Sequence, residues 1–250
     1  MKYAFSFTMF STFETCPFQF RAKYIQRDPE PPPSPQVLKG REEHALFDDV
    51  FSGRKPCIPG SLPARYVPAM QALQQGRNVF VEEKMAICRE GRRAAYSNAR
   101  AYFRGAADLM LLPVPAMSNP PLFEPPPKLS MNQGNHSGLA YVFDWKTGKP
   151  GYEKPFQLAA MGVLARAAHP GLITRVAARL IYTSHDKYWP EKDGEWYILD
   201  TPALDAAEAE IYRRGDEIDA AVAQGSFVKK RSPLCRFCSA RDCQFSENKA

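Results

Sequence analysis

The chain has 250 residues, 44% hydrophobic and 24% charged, an ordinary balance for a globular protein and long enough for one α/β domain with a sizeable core. Lysine and arginine number 33 against 27 aspartates and glutamates, and this net charge of +6 suits a polyanionic partner without requiring one. No apolar run approaches the length of a membrane span and Met1–Phe5 opens no signal peptide, so a soluble cytoplasmic chain with no membrane partner is expected.

In chain order, Ser11 followed by Glu14 matches a capping box and predicts a first helix from there through Tyr24, with Pro17 in or near its first turn. Five prolines between Pro29 and Pro35 predict a stiff connector. Lys39–Phe51 reads as a helix stopped near Gly53, with His44 one turn from Gly40. A lone histidine is more often an ordinary surface or core residue than a ligand. Residues 54–76 read as a proline-containing loop and a short helix through Met70.

Strands are predicted at Asn78–Cys88 and within Tyr102–Leu112. In the second, Asp108 precedes four apolar residues, and a carboxylate inside a buried strand is costly unless it is paired or binds metal. Glu82 and Glu83 read as a solvated strand end, with an auxiliary acid as the alternative. Residues 113–138, rich in Pro, Asn, Ser and Met, read as a mobile insertion in a β-hairpin that joins the Asp108 strand to the next one.

That next strand, Leu139–Lys146, ends in Asp144-Trp145-Lys146-Thr147-Gly148. Side chains alternate faces along a strand, so Asp144 and Lys146 project to one side and make a plausible metal-and-phosphate site. Alone, a D-x-K is weak, because exposed strands often end in opposite charges. A helix within Tyr152–Ala168 carries Gln157 at its start. Strands at Arg175–Thr183 and Glu195–Leu199 follow, then a long amphipathic helix at Leu204–Gln224.

Six cysteines in an intracellular chain point to metal binding or buried thiols rather than a disulfide framework. Cys235, Cys238 and Cys243 form a C-x2-C-x4-C cluster, one ligand short of four. Cys16 beside Pro17 is the best fourth ligand if the termini dock. Zinc and a [4Fe–4S] cluster both satisfy the count. Cys57 and Cys88 read as ordinary thiols.

Together these pieces resemble the RecB-like branch of the PD-(D/E)XK nuclease superfamily, particularly its iron–sulfur members such as the CRISPR-associated RecB-like exonucleases. Gly40-x3-His44 resembles the first catalytic motif, Gly105-Ala-Ala-Asp108 the G-x-x-D element and Asp144-Trp-Lys146-Thr-Gly the D-x-K-T-G element. Gln157 matches the glutamine of Q-x3-Y, with Met161 in place of the tyrosine, and Cys16, Cys235, Cys238 and Cys243 match the cluster cysteines.

The resemblance implies a single domain over residues 1–250 with a restriction-endonuclease-like α/β core, its central mixed sheet flanked by helices. Residues 1–28 and 226–250 would join as an iron–sulfur cap. It further implies Mg²⁺ or Mn²⁺ held by His44, Asp108, Asp144 and the Trp145 carbonyl, with Lys146 and Gln157 completing the catalytic set. DNA, as single strands or strand ends, would be the substrate, and recombination or CRISPR-adaptation proteins the partners. Competing classes are a non-catalytic nucleic-acid-binding subunit with a zinc or iron–sulfur site, and a nuclease acting on RNA.

Overall fold

Residues 4–74, 77–113, 138–191 and 195–246 are described by the structure, a computed structural model. The expected insertion, apart from Pro113 and Gly138 at its ends, lies outside them. The first helix, α1 (Phe7–Thr15), starts four residues before the expected capping box. Ser6 is its cap, the hydroxyl accepting from Met9 N–H at 3.3 Å. The expected box is not made because its side chains serve tertiary partners: Ser11 accepts from Lys154, and Glu14 pairs with Arg214.

The helix also does not run on to Tyr24. Proline disfavours helical backbone in the residue before it, and Cys16 is extended at φ −160°, ψ 107°. A new helix, α2 (Pro17–Phe20), begins there and continues as π-helical turns over Arg21–Gln26. After the proline connector, α3 (Pro35–Phe51) starts four residues earlier than expected, with Ser34 as cap and Pro35, the last of the run, at its first position. A short α4 (Val67–Gln74) precedes the sheet.

Among the described residues seven strands form one sheet: β1 (Arg77–Ile87), β2 (Arg93–Ala94), β3 (Phe103–Pro113), β4 (Leu139–Lys146), β5 (Arg175–Tyr182), β6 (Lys187–Trp189) and β7 (Tyr197–Leu199). Their order is β2-β1-β3-β4-β5-β6, with β7 pairing the start of β5 and β6 its end. All pairs are antiparallel except β4–β5, whose parallel ladder requires a crossover, supplied by α5 (Pro155–Ala168). The expected α/β class with a mixed sheet is therefore realised, and β3 and β4 form the expected antiparallel pair. The two- and three-residue strands β2 and β6 carry too little pattern to be read from sequence.

Each face of the sheet has its own core. On one side α1, α5 and α6 (Thr201–Gln224) cover Phe103, Met110, Val142, Val176 and Leu180, with Leu158, Val163, Leu204 and Ile211 from the helices. On the other side Phe47 of α3, Tyr66 and Met70 cover Leu109, Leu111, Tyr141, Phe143 and Trp145. Burying each large apolar side chain contributes roughly 1.5–3 kcal/mol, so the two layers fix where α3 and α5 enter. Both deliver polar residues to the same end of β4.

Candidate active site and thiol cluster

The site forms where the ladder between β3 and β4 stops. Pairing runs from Leu111–Tyr141 to Leu109–Phe143 and no further. At the next step Asp108 substitutes its side chain for the backbone: Trp145 N–H donates to Asp108 Oδ2 at 2.7 Å. Beyond it β3 takes a different neighbour, since Phe5 N–H donates to Tyr102 and Arg104 N–H donates to Phe5. The result is a fork between β3 and the end of β4, with Ser6, Phe7 and Thr8 at its base.

On the opposite edge of β3 the same position is again irregular. Val81 pairs with Leu109 and Glu83 with Ala107, so Glu82 stands opposite Asp108 in an interrupted ladder. Glu82 holds φ at +51°, left-handed backbone that costs a non-glycine residue on the order of 1 kcal/mol or more. Alternation switches across the pair. Phe80, Met110 and Leu112 face the α5 layer on one side of it, and Met85, Ile87, Phe103 and Ala107 do so on the other. Strict period-two reading therefore fails at the two acids.

His44, Glu82 and Asp108 present ligand atoms that all lie within 4.8 Å of one another. His44 Nδ1 is 3.7 Å from Asp108 Oδ1. Its pKa is raised, first by the hydrogen bond to Asp108 and then, against the opposing pull of burial, by the charges of Asp108, Asp144 and Glu82. Glu82 is pushed up by burial and by repulsion from Asp108. Glu82 is thus no solvated strand end, and a cation here would relieve the crowding of its charge with that of Asp108.

Asp144 is 7% exposed, more deeply buried than Asp108, and burial lifts its pKa from 3.8 to about 6 against the attraction of Lys146. Lys146 Nζ lies 2.6 Å from Asp144 Oδ2, an ion-pair contact that is this oxygen's one strong interaction among the described residues. Gln157, at the start of α5, bridges the pair: its Nε2 donates to Asp144 Oδ1 at 2.6 Å, and its Oε1 accepts from Lys146 at 2.9 Å. Asp144 and Lys146 share one face, as alternation requires. The Trp145 side chain goes to the other face, stacked on Phe47 with centroids 4.7 Å apart.

Supporting contacts set the depth of α3. A Cβ at Gly40 would stand 2.9 Å from Thr147 Oγ1, so the missing side chain lets α3 approach the end of β4. Glu43 accepts from Thr183 Oγ1 at 3.0 Å and from Ser184, while Thr183 N–H donates to the Lys146 carbonyl at 3.0 Å. Two open clefts, of about 680 and 530 Å³, meet at His44, Asp108 and Thr147. Met161 lines the second, and a Cβ at Gly105 would come 3.3 Å from its Cε.

Past the far end of α1, Cys16, Cys235, Cys238 and Cys243 line one pocket, and no disulfide joins them. The termini are tied there by backbone: Phe18 N–H donates to Val228, and Lys230 N–H lies 3.4 Å from Cys16 Sγ. Ser232 N–H donates to Cys235 Sγ at 3.3 Å. Burial pushes the Cys238 thiol up, and the neighbouring thiols add to it. A tetrahedral zinc site with bonds near 2.3 Å would set its sulfurs only about 3.8 Å apart. Among the described residues no three of the thiols fall within 4.8 Å of one another. Cys57 and Cys88 stand elsewhere, Cys88 donating to the Arg92 carbonyl in the turn before β2. Among the described residues no helix is long and apolar enough to cross a membrane.

No protein-family model matches this sequence, and no curated protein matches it.

Proposed function

We propose that the chain is a metal-dependent nuclease of the PD-(D/E)XK kind, RecB-like, hydrolysing phosphodiester bonds in DNA from single strands or strand ends. One observation carries the reading. The fork between β3 and β4 gathers Asp108, Asp144, Lys146 and Gln157 in one cleft, with His44 brought in from the opposite layer.

Mg²⁺ or Mn²⁺ fits this donor set, mostly hard carboxylate oxygens with one imidazole, and would be held by His44, Asp108 and Glu82, whose ligand atoms lie together, with Asp144 and the Trp145 carbonyl as the further ligands the resemblance implies. When bound, such an ion supplies charge for the scissile phosphate and acidifies the attacking water. The chain's own groups do the rest. Lys146 Nζ, held between Asp144 and Gln157, brings a fixed positive charge to the cleft where the phosphate gains negative charge. Gln157 keeps that ammonium and the Asp144 carboxylate in one plane of contact, and the Trp145 N–H fixes the Asp108 carboxylate against rotation. The left-handed backbone at Glu82 supports a role for that residue, since strain of this kind persists where a site requires it.

The four thiols would hold a [4Fe–4S] cluster, the choice over zinc resting on the resemblance. Backbone N–H groups reach Cys16 and Cys235, contacts that thiolate ligands accept. Its role would be structural, joining the termini, with recombination or CRISPR-adaptation proteins as the class of partner. The test is Mn²⁺ titration by calorimetry alongside cleavage of end-labelled oligonucleotides. Glu82→Gln and Asp108→Asn should each weaken Mn²⁺ binding at least tenfold. Folded, cluster-loaded protein that binds neither Mn²⁺ nor DNA would overturn the reading.

A further inference from the structure

The cleft that holds the acids extends past them to Tyr96 and Arg104, which the proposed chemistry does not use. Tyr96 follows β2, and the row Ala94–Ala86–Arg104 runs straight across β2, β1 and β3. With alanines at 86 and 94, nothing bulky separates Arg104 from the tyrosine. The Arg104 guanidinium carbon lies 5.3 Å from the Tyr96 ring centroid and Lys84 Nζ lies 5.9 Å from it. Among the described residues neither cation is paired with an acid, whereas Arg89, Arg166, Arg213 and Arg214 all are. Tyr96 is half-buried, and the small residues Gly105 and Ala106 floor the cleft between it and Asp108.

We propose that Tyr96 is a stacking shelf for an unpaired base flanking the scissile phosphate, with Arg104 contacting the adjoining phosphate. This rests on the nuclease reading for its position relative to the cut. An aromatic ring with two unpaired cations over it, which a base and its phosphates would draw aside, matches the chemistry of a single strand, whose bases offer π-faces at intervals set by phosphates. A duplex keeps its bases stacked inside and has none to offer the ring. The shelf therefore makes the site selective for unpaired nucleotides.

The test measures binding apart from cleavage. Full-length Lys146→Ala protein, titrated in EDTA with a fluorescent single-stranded oligonucleotide and with a blunt duplex of the same length, gives the reference affinities. Adding Tyr96→Ala should weaken single-strand binding by about five- to a hundredfold, the range of one lost base stack. Duplex binding should change less than twofold. Tyr96→Phe keeps the ring and should bind as the reference does. Arg104→Gln should lower the slope of log affinity against log salt by about one. In cleavage-competent protein, Tyr96→Ala should raise KM for single strands more than it lowers kcat.

Unchanged single-strand affinity in Tyr96→Ala, or an equal loss in Tyr96→Phe, overturns the shelf. Should Tyr96→Ala fold poorly, Tyr96→Leu, which keeps bulk without a ring, replaces it, and the same two outcomes apply. Absence of cleavage with the Tyr96 effect on binding intact would sink the nuclease reading and leave the shelf standing. Metal-dependent cleavage with no Tyr96 effect would do the reverse.

Discussion

Asp144→Asn should stabilise the metal-free protein at neutral pH, and the size follows from the burial of that carboxylate. Its pKa stands at about 6 in the fold against 3.8 for an ordinary aspartate, the cause being desolvation that the Lys146 contact only partly offsets. Because the folded value is the raised one, the benefit is fully present below pH 4 and is lost as pH rises through about 6. At pH 7.5 the ionised group costs about 3 kcal/mol, two pKa units at roughly 1.4 kcal/mol each. Asparagine removes that charge but has a single acceptor where Gln157 and Lys146 address two oxygens, a loss of about 1 kcal/mol. The expected net gain is about 2 kcal/mol, a rise in Tm of roughly 4–8 °C for a domain of this size. Urea unfolding followed by tryptophan fluorescence, in EDTA at pH 7.5 and pH 4.5, measures it. A gain at pH 7.5 that vanishes at pH 4.5 fits. A variant less stable than the parent at pH 7.5, or a difference independent of pH, would refute the claim that Asp144 is held as a costly buried charge.

Mn²⁺ affinity should climb between pH 5 and pH 7.5, with protons released on binding, because His44 and Asp144 both hold protons above their ordinary pKa values; calorimetry in buffers of different ionisation enthalpy reads the proton count. Gly40→Ala should cut Mn²⁺ affinity and activity several-fold, since its Cβ must push Thr147 away and draw His44 outward, while stability falls by no more than about 1–3 kcal/mol. Cys16→Ala should lose iron and sulfide and become protease-sensitive at both ends, whereas Cys57→Ala and Cys88→Ala keep the visible spectrum; stoichiometric zinc in anaerobically purified parent protein would remove the iron–sulfur assignment.

Much of the site was legible because its residues are expensive where they stand. Asp108 among apolar neighbours and Asp144 two residues before Lys146 announce themselves, and alternation correctly puts the latter pair on one face. Gln157 was ambiguous locally, since a polar residue at a helix start is common, and only packing of α5 aims it at the pair. Glu82 was misread for a physical reason: strand logic assumes an unbroken ladder, and the left-handed turn of backbone that places it opposite Asp108 is a tertiary event. An acid directly following Val79-Phe80-Val81 was the available signal. The first helix was misplaced because Ser11 and Glu14 fit a cap and serve distant partners instead, and Pro17, read as part of that helix's first turn, ends it at Cys16 and starts the next one.

The most direct measurement is cleavage of end-labelled single- and double-stranded DNA by the purified protein in Mn²⁺ and in Mg²⁺, beside Lys146→Ala. The parent should degrade the strand only with metal and stop on EDTA. Lys146→Ala should stay folded but lose at least a hundredfold in rate, and its melting temperature at neutral pH should fall, because buried Asp144 loses its counter-charge. A folded Lys146→Ala protein that cleaves like the parent would contradict the account.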